Sequence, residues 1–441
     1  MSSPAPAPLR TAGLVAYAAL GVPLAMAALP VYVLVPNFYT RTLGLELGLV
    51  GLILLLARSL DAVQDPLLGY LSDRSRQRGG SRRGWVAAGI PLLTLGMWAL
   101  LTPPAVSPSM LTAWLVGALL VTYLGFSMTS VSYQALGAEL TSDRIERTRV
   151  TAWREGLALL GVFVAAALPE WWATALGPQA AYARFALLFA GLLVLMGGIS
   201  LRWTPPALPS AAGSTPDGLT WRAMLTPLGN PQFRRLALVF ALSGIAASIP
   251  ATVVLFFVED VIRRPDLGGA FLVVYFAAGA AGMPLWLLAA RRYGKAGAWL
   301  LGMGLSIAAF VWAFGLTPGD VRAFFIICAL SGLALGADLA LPPALLADAI
   351  DEDEKAGLAR GEGAYFGLWH LLSKANLALA AGLGLPLLAA LGYTPGSSSS
   401  QGLLALSAVY ALVPCALKLL SALALVGSGL LTTTRSQRAD R

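Results

Sequence analysis

The sequence holds one histidine, two cysteines and few charges. Asp, Glu, Lys and Arg make up 12% of its 441 residues, about half the share of a soluble domain. Cys328 and Cys415 each sit inside an apolar run and offer neither a disulfide framework nor a zinc spacing. No nucleophile stands with a base, and no metal cluster or nucleotide-binding loop is visible, so no enzyme is read from the chain and no cofactor is expected. The run Asp351-Glu-Asp-Glu354 reads as a solvated loop. A cleavable signal pattern is missing too; the first apolar run is too long for one and reads as a membrane span.

What is present is apolar sequence, 57% of the chain. A span needs about 20 apolar residues. About twelve such runs are read, near 12–38, 44–71, 85–102, 109–138, 150–174, 180–201, 232–258, 267–290, 296–316, 321–349, 363–391 and 402–430. The least distinct boundaries fall around 165–180 and 255–268. The fold class expected is an all-α polytopic membrane protein.

The net charge of +8 does not imply nucleic acid, because the basic residues alternate by connection. One set holds Arg74, Arg76, Arg78, Arg82 and Arg83, then Arg144, Arg147 and Arg149, with further clusters around 202–235, 291–295 and 355–360 and in the tail. The opposite set holds only Arg41, Arg184, Arg263, Arg264 and Arg322. The positive-inside rule places the first set and both termini in the cytoplasm. The expectation is a multi-pass protein of the cell membrane, of the bacterial inner membrane type. Its partners would be the lipid bilayer and a small-molecule substrate, with a monomer as the working state.

Residues 203–230 break every periodicity and are rich in Pro, Ser and Gly. They read as a cytoplasmic linker between an N-terminal six-helix bundle, 1–202, and a C-terminal one, 231–430, followed by a cytoplasmic tail, 431–441. Gly69-x-Leu71-x-Asp73-Arg74, followed by a basic run, resembles the loop between helices II and III in the major facilitator superfamily. Two bundles of six helices are that superfamily's layout. The resemblance implies a gating role for Gly69, Asp73 and Arg74.

Residues 53–78 carry the most informative polar pattern. Asp61 and Asp65 are i and i+4 on one helical face, and Arg58 joins the same stripe. Charges inside a span cost a few kcal/mol each and mark an ion or substrate pathway. Helix rise puts Asp61 ~18 Å and Asp65 ~12 Å from the cytoplasmic end at Asp73. By the same count from Glu362, Lys374 is ~18 Å deep, and Asp338 is ~15 Å from Asp348. Asp61 and Asp65 thus read as a cation site for Na+ or for a shared proton, with Lys374 at the same level. A structural ion pair is the other reading of these charges. His370, one turn before Lys374, reads equally as a substrate ligand or a packing residue, and Lys418, with no obvious partner, as a snorkelling side chain.

The stretch Ala57-Arg-Ser-Leu-Asp-Ala-Val-Gln-Asp-Pro66 resembles the glycoside–pentoside–hexuronide:cation symporters, the melibiose permease-like family. Three further stretches agree: 133–154, 347–351 and 360–374, the last with its lysine. The resemblance implies a sugar-type symporter coupled to Na+, Li+ or H+. It places the cation-site carboxylates on Asp61 and Asp65, the helix V arginine on Arg154 and the helix XI lysine on Lys374. The family's helix I aspartate falls near Ala25 and its helix IV aspartate near Ser130, with Ser127 and Thr129 nearby. A sugar-binding carboxylate and a third site acid are therefore missing, which argues against galactosides. The coupling set expected is Asp61, Asp65, Ser127, Ser130 and Lys374; the substrate set is Arg154, Asp338, Trp369 and His370. The leading function is Na+- or H+-coupled symport of a small polar organic solute such as a sugar or glycoside. A transporter of lipid-like or drug-like amphiphiles, working as an exporter, is the alternative.

Overall fold

The computed structural model describes residues 9–141, 143–206, 225–355 and 362–431. Most of the expected linker and tail, and Arg360, lie outside the described residues. Twelve helices among those described are long and apolar enough to cross a membrane. They are α1 Thr11–Thr42, α2 Leu47–Arg76, α3 Arg82–Leu101, α4 Pro108–Ala138, α5 Arg149–Leu176 and α6 Pro178–Trp203. The second six are α7 Pro231–Ile262, α8 Pro265–Tyr293, α9 Lys295–Gly315, α10 Val321–Asp351, α11 Ala364–Ala390 and α12 Ser400–Gly427. Hydrocarbon cannot hydrogen-bond to a backbone, so each apolar segment satisfies its own amides as a helix. The acidic run 351–354, expected as a loop, instead prolongs the helix of α10, whose backbone stays helical to Lys355.

Helix starts follow local chemistry. Pro108, Pro178 and Pro231 occupy first-turn positions, where no intrahelical N–H is needed. Asn230 caps α7, its side chain accepting from the amides of Gln232 and Phe233 at 2.8 and 3.2 Å. The indistinct boundaries resolve as very short connections. A single residue, Gly177, joins α5 to α6, and two residues, Arg263 and Arg264, join α7 to α8. Away from those boundaries Gly294 alone joins α8 to α9; Gly177 and Gly294 both adopt φ 79°, which a side chain would resist.

The prolines act unequally. Pro342 and Pro343 sit inside a continuous α10 helix. In α1, by contrast, Pro30–Leu34 and Phe38–Thr42 are π-helical, as are Phe257–Ile262 at the end of α7 and Ala408–Leu412 within α12. A π turn inserts one extra residue and bends the helix there.

Two compact units form. The first comprises Met1–Val31 and Leu60–Gly218, the second Tyr32–Ser59 and Leu219–Arg441. In the first, α3 and α4 approach through Gly89, Gly96 and Gly125; a Cβ added at Gly125 would lie 2.3 Å from the Leu93 amide nitrogen. In the second, α8 and α10 meet through Gly332, where an added Cβ would lie 2.2 Å from the Tyr275 carbonyl oxygen. Without a hydrophobic force between helices in lipid, such close approach supplies the packing energy. A core around Trp299, Phe233, Leu341 and Trp369 fills part of the second unit.

Gly332→Ala must push backbone aside and is expected to destabilise the purified protein by about 1–3 kcal/mol. Gly304→Ala in α9, which meets nothing within 4 Å, should leave stability unchanged or raised. Thermal unfolding in detergent compares the two; equal effects would contradict this account of α8–α10 packing.

Candidate functional site

In the first unit, α2 carries Asp61 and Asp65 one turn apart. The Asp61 side chain is buried at 2% exposure. Its Oδ1 accepts from Ser127 Oγ on α4 at 2.8 Å and from Gln64 Nε2 at 3.3 Å. Two members of the expected coupling set, Asp61 and Ser127, therefore meet. Ser127, Thr129 and Ser130 are all buried, with Thr129 turned to the Gly125 carbonyl at 2.8 Å. Tyr17 and Tyr133 stack with ring centroids 4.5 Å apart, and each hydroxyl donates to the other residue's carbonyl, at 3.2 and 3.0 Å. Arg154 lies on α5, its guanidinium donating to Glu155 Oε1 at 2.6 and 3.1 Å.

At one end of the same unit, Arg82 opens α3 and gathers the expected gating residues differently from the sequence reading. It donates to Asp73 Oδ1 at 2.6 Å, to Glu139 Oε1 at 2.6 Å and to Ser72 Oγ at 3.3 Å. Arg76 lies 3.1 Å from the other Glu139 oxygen. Arg74 is exposed at the surface, and Gly69 makes only ordinary contact with Val131. Arg82 and Glu139 are the partners that sequence reasoning missed. Their only signal was charge at a helix start and a helix end.

In the second unit, Asp338 on α10 has three close polar partners. Lys418 Nζ on α12 donates to Oδ2 at 2.5 Å, while Ser243 Oγ and Trp299 Nε1 donate to Oδ1 at 2.9 and 2.8 Å. Lys418 also donates to Ser243 Oγ at 2.8 Å. Lys418 does not snorkel: its side chain is 4% exposed and ion-paired, because an unpaired ammonium within a span costs more than one held by a carboxylate. Asp338 and Lys418 border a cavity also lined by Tyr275, Ser306, Ser331 and Cys415. Trp369 on α11 is buried and stacks on Phe240 at 3.9 Å, whereas His370 is exposed and Lys374 half-buried. Of the group formed by Asp338, Lys418, Ser243 and Trp299, sequence reasoning found only Asp338. No set of three or more His, Cys, Asp and Glu fit for a metal ion occurs among the described residues.

Removing one member of the buried pair strands the other's charge. Lys418→Met alone should destabilise the protein by about 3–5 kcal/mol, and adding Asp338→Leu should recover much of that loss. Thermal unfolding of the two variants checks it; a Lys418→Met protein as stable as wild type would contradict the pairing.

Comparison with known proteins bears on this arrangement. The family model described as MFS/sugar transport protein matches residues 14–427. The chain is 28% identical over 244 residues to "Inner membrane symporter YicJ" of Escherichia coli strain K12, covering 54% of this chain and about half, 52%, of that protein. It is 26% identical over 391 residues to "Putative glycoside/cation symporter YagG" of the same organism, covering 83% of this chain and 80% of the relative. The fold is similar to the crystal structure of the nucleoside transporter NupG, with a TM-score of 0.67 at 14% identity over 94% of this chain and 98% of that one. Twelve apolar helices, charges paired inside them and a family match along nearly the whole length meet in one conclusion: the chain belongs to the MFS/sugar transport family, has the major facilitator fold, and is a multi-pass membrane transporter of the melibiose permease-like group and not an enzyme.

Proposed function

We propose that this protein is a cation-coupled symporter that moves a small polar organic solute, such as a sugar or glycoside, by alternating access, with Na+ or H+ as the coupling ion. One observation carries the reading: Asp61, 2% exposed within a membrane span, is held by the Ser127 hydroxyl of another span at 2.8 Å. A carboxylate kept there is costly, and a cation that binds it offsets the cost. Asp65 lies one turn further along the same helix. Pro66 has no N–H, so the Ala62 carbonyl has no helical donor from that position. Carboxylate, hydroxyl and carbonyl oxygens form a hard donor set that suits Na+. The same two carboxylates repel when both are ionised, so the empty site favours one shared proton.

In the second unit, Asp338, Trp369 and His370 are assigned to the solute. Asp338 and Lys418 border one cavity and offer an acceptor and a donor to hydroxyl groups. YicJ is named a symporter and YagG a putative glycoside/cation symporter; the latter name supports a glycoside-type solute and a coupling cation. The distribution of arginine supports a bacterial inner-membrane protein with cytoplasmic termini, built from two six-helix halves.

Asp65→Asn keeps the volume and one oxygen but removes the charge. Gradient-driven accumulation in membrane vesicles, assayed across a solute panel with and without Na+ and pH gradients, should fall to the background of empty vesicles. Solute exchange and thermal stability should persist. Accumulation by Asp65→Asn at the wild-type level would make Asp65 structural; a wild-type protein that moves only lipid-like amphiphiles would overturn the solute class.

A further inference from the structure

The end of α1 distal to Thr11 carries an ionic network that the transport reading above does not use. Arg41 Nε lies 3.1 Å from Glu259 Oε2, and Arg41 Nη1 lies 2.6 Å from Asp260 Oδ1, both on the end of α7. Asn37 Nδ2, one turn earlier in α1, donates to Glu259 Oε2 at 3.0 Å. The second oxygen of Asp260 accepts from the Tyr393 hydroxyl at 2.6 Å and the Gly396 amide at 2.9 Å, in the connection between α11 and α12. Burial, with the Asp260 charge second, holds the Tyr393 phenol above its ordinary range, so it remains a donor. The carboxylates are largely buried, at 15% and 6% side-chain exposure for Glu259 and Asp260, and Arg41 is at 33%.

The backbone here is unusual on both sides of the contact. Arg41 belongs to the π-helical Phe38–Thr42, and Glu259 and Asp260 to the π-helical Phe257–Ile262. The α7 segment ends at Arg263 with φ 59°, the one non-glycine positive φ among the described residues. A left-handed arginine costs about 1–2 kcal/mol, and π turns concentrate at functional positions. The same end is closed by apolar contact: a Cβ added at Gly51 of α2 would lie 2.8 and 2.9 Å from Pro386 and Leu385 of α11. By chain order α1 and α2 belong to the first six helices, yet Tyr32–Ser59 groups with the last six.

The donors divide unequally. Asp260 keeps Tyr393 and Gly396, near neighbours in the later helices, if α1 moves away. Glu259 meets Arg41 and Asn37, both on α1, and would pass to water. The two carboxylates outnumber the one guanidinium, so the network holds only while α1 is seated.

We propose that Arg41 and Asn37 of α1, with Glu259 and Asp260 of α7, form the latch that closes the non-cytoplasmic end of the transport pathway and releases once per cycle. This rests on the alternating-access and topology readings above. The test needs no transported solute. In a background with Cys328 and Cys415 replaced by Ala, Val33→Cys places a thiol one turn deeper than Asn37 at a site 1% exposed. Vesicles of each orientation are treated with a membrane-impermeant thiol reagent. Arg41→Ala should raise the labelling rate at least about tenfold from the non-cytoplasmic face alone, while Arg41→Lys stays near the rate of the latch-intact protein. An unchanged rate, or an equal rise from both faces that reports local unfolding, would overturn the latch. A rise confined to the cytoplasmic face would overturn the assigned end. Failure of the symport reading is seen separately, as wild-type protein without gradient-driven uptake.

Discussion

A bilayer offers no water to a charge, so each ionised group in these helices needs a partner supplied by the chain. That constraint decides where helices are held together. Asp338 and Lys418 link α10 to α12, and through Ser243 and Trp299 they reach α7 and α9. Asp61 and Ser127 link α2 to α4 through a hydroxyl donor. The difference matters chemically. An ammonium neutralises the carboxylate it binds, whereas a hydroxyl solvates a carboxylate and leaves its charge in place.

At the helix ends the two units reach a common solution. Arg82, the first residue of α3, binds Glu139 just beyond α4, and Lys295, the first residue of α9, binds Asp348 near the end of α10 at 2.6 Å. These are the third and fourth helices of each set of six, as expected for repeated halves. Lys295 also donates to the Ala344 carbonyl at 3.0 Å, and Arg83 donates to the carbonyls of Leu201, Thr204 and Pro205. Arg83 thus caps the C-terminal end of α6, where the helix dipole favours a cation, while Lys295 adds a bond to a carbonyl inside α10 to its ion pair.

Among the described residues, the π-helical segments fall on the first helix of each six, α1 and α7, and on α12. Their π turns reorient the side chains they carry. In α1 and α7 those side chains include Arg41, Glu259 and Asp260, and in α12 Tyr410 stacks on Phe257 of α7 at 4.1 Å. Three irregular segments of the second unit thus pack around a common neighbourhood, while α10, with two adjacent prolines, remains regular.

The sequence by itself determined the twelve spans, because hydropathy and length are local properties; the reading 150–174 for the fifth compares with Arg149–Leu176 in the structure, and 363–391 for the eleventh with Ala364–Ala390. It also exposed Asp61 and Asp65 as one helical face, since a four-residue interval on a helix needs no tertiary information. Only the tertiary structure decided which side chains complete each charge. Lys418 lies 80 residues from Asp338, and Arg41 lies 219 from Asp260. Pairing at such distances depends on helix rotation and on the depth at which neighbours align. The π turns were hidden for a related reason: one extra residue in a turn shifts the register of the helix beyond it without leaving a distinct mark in composition.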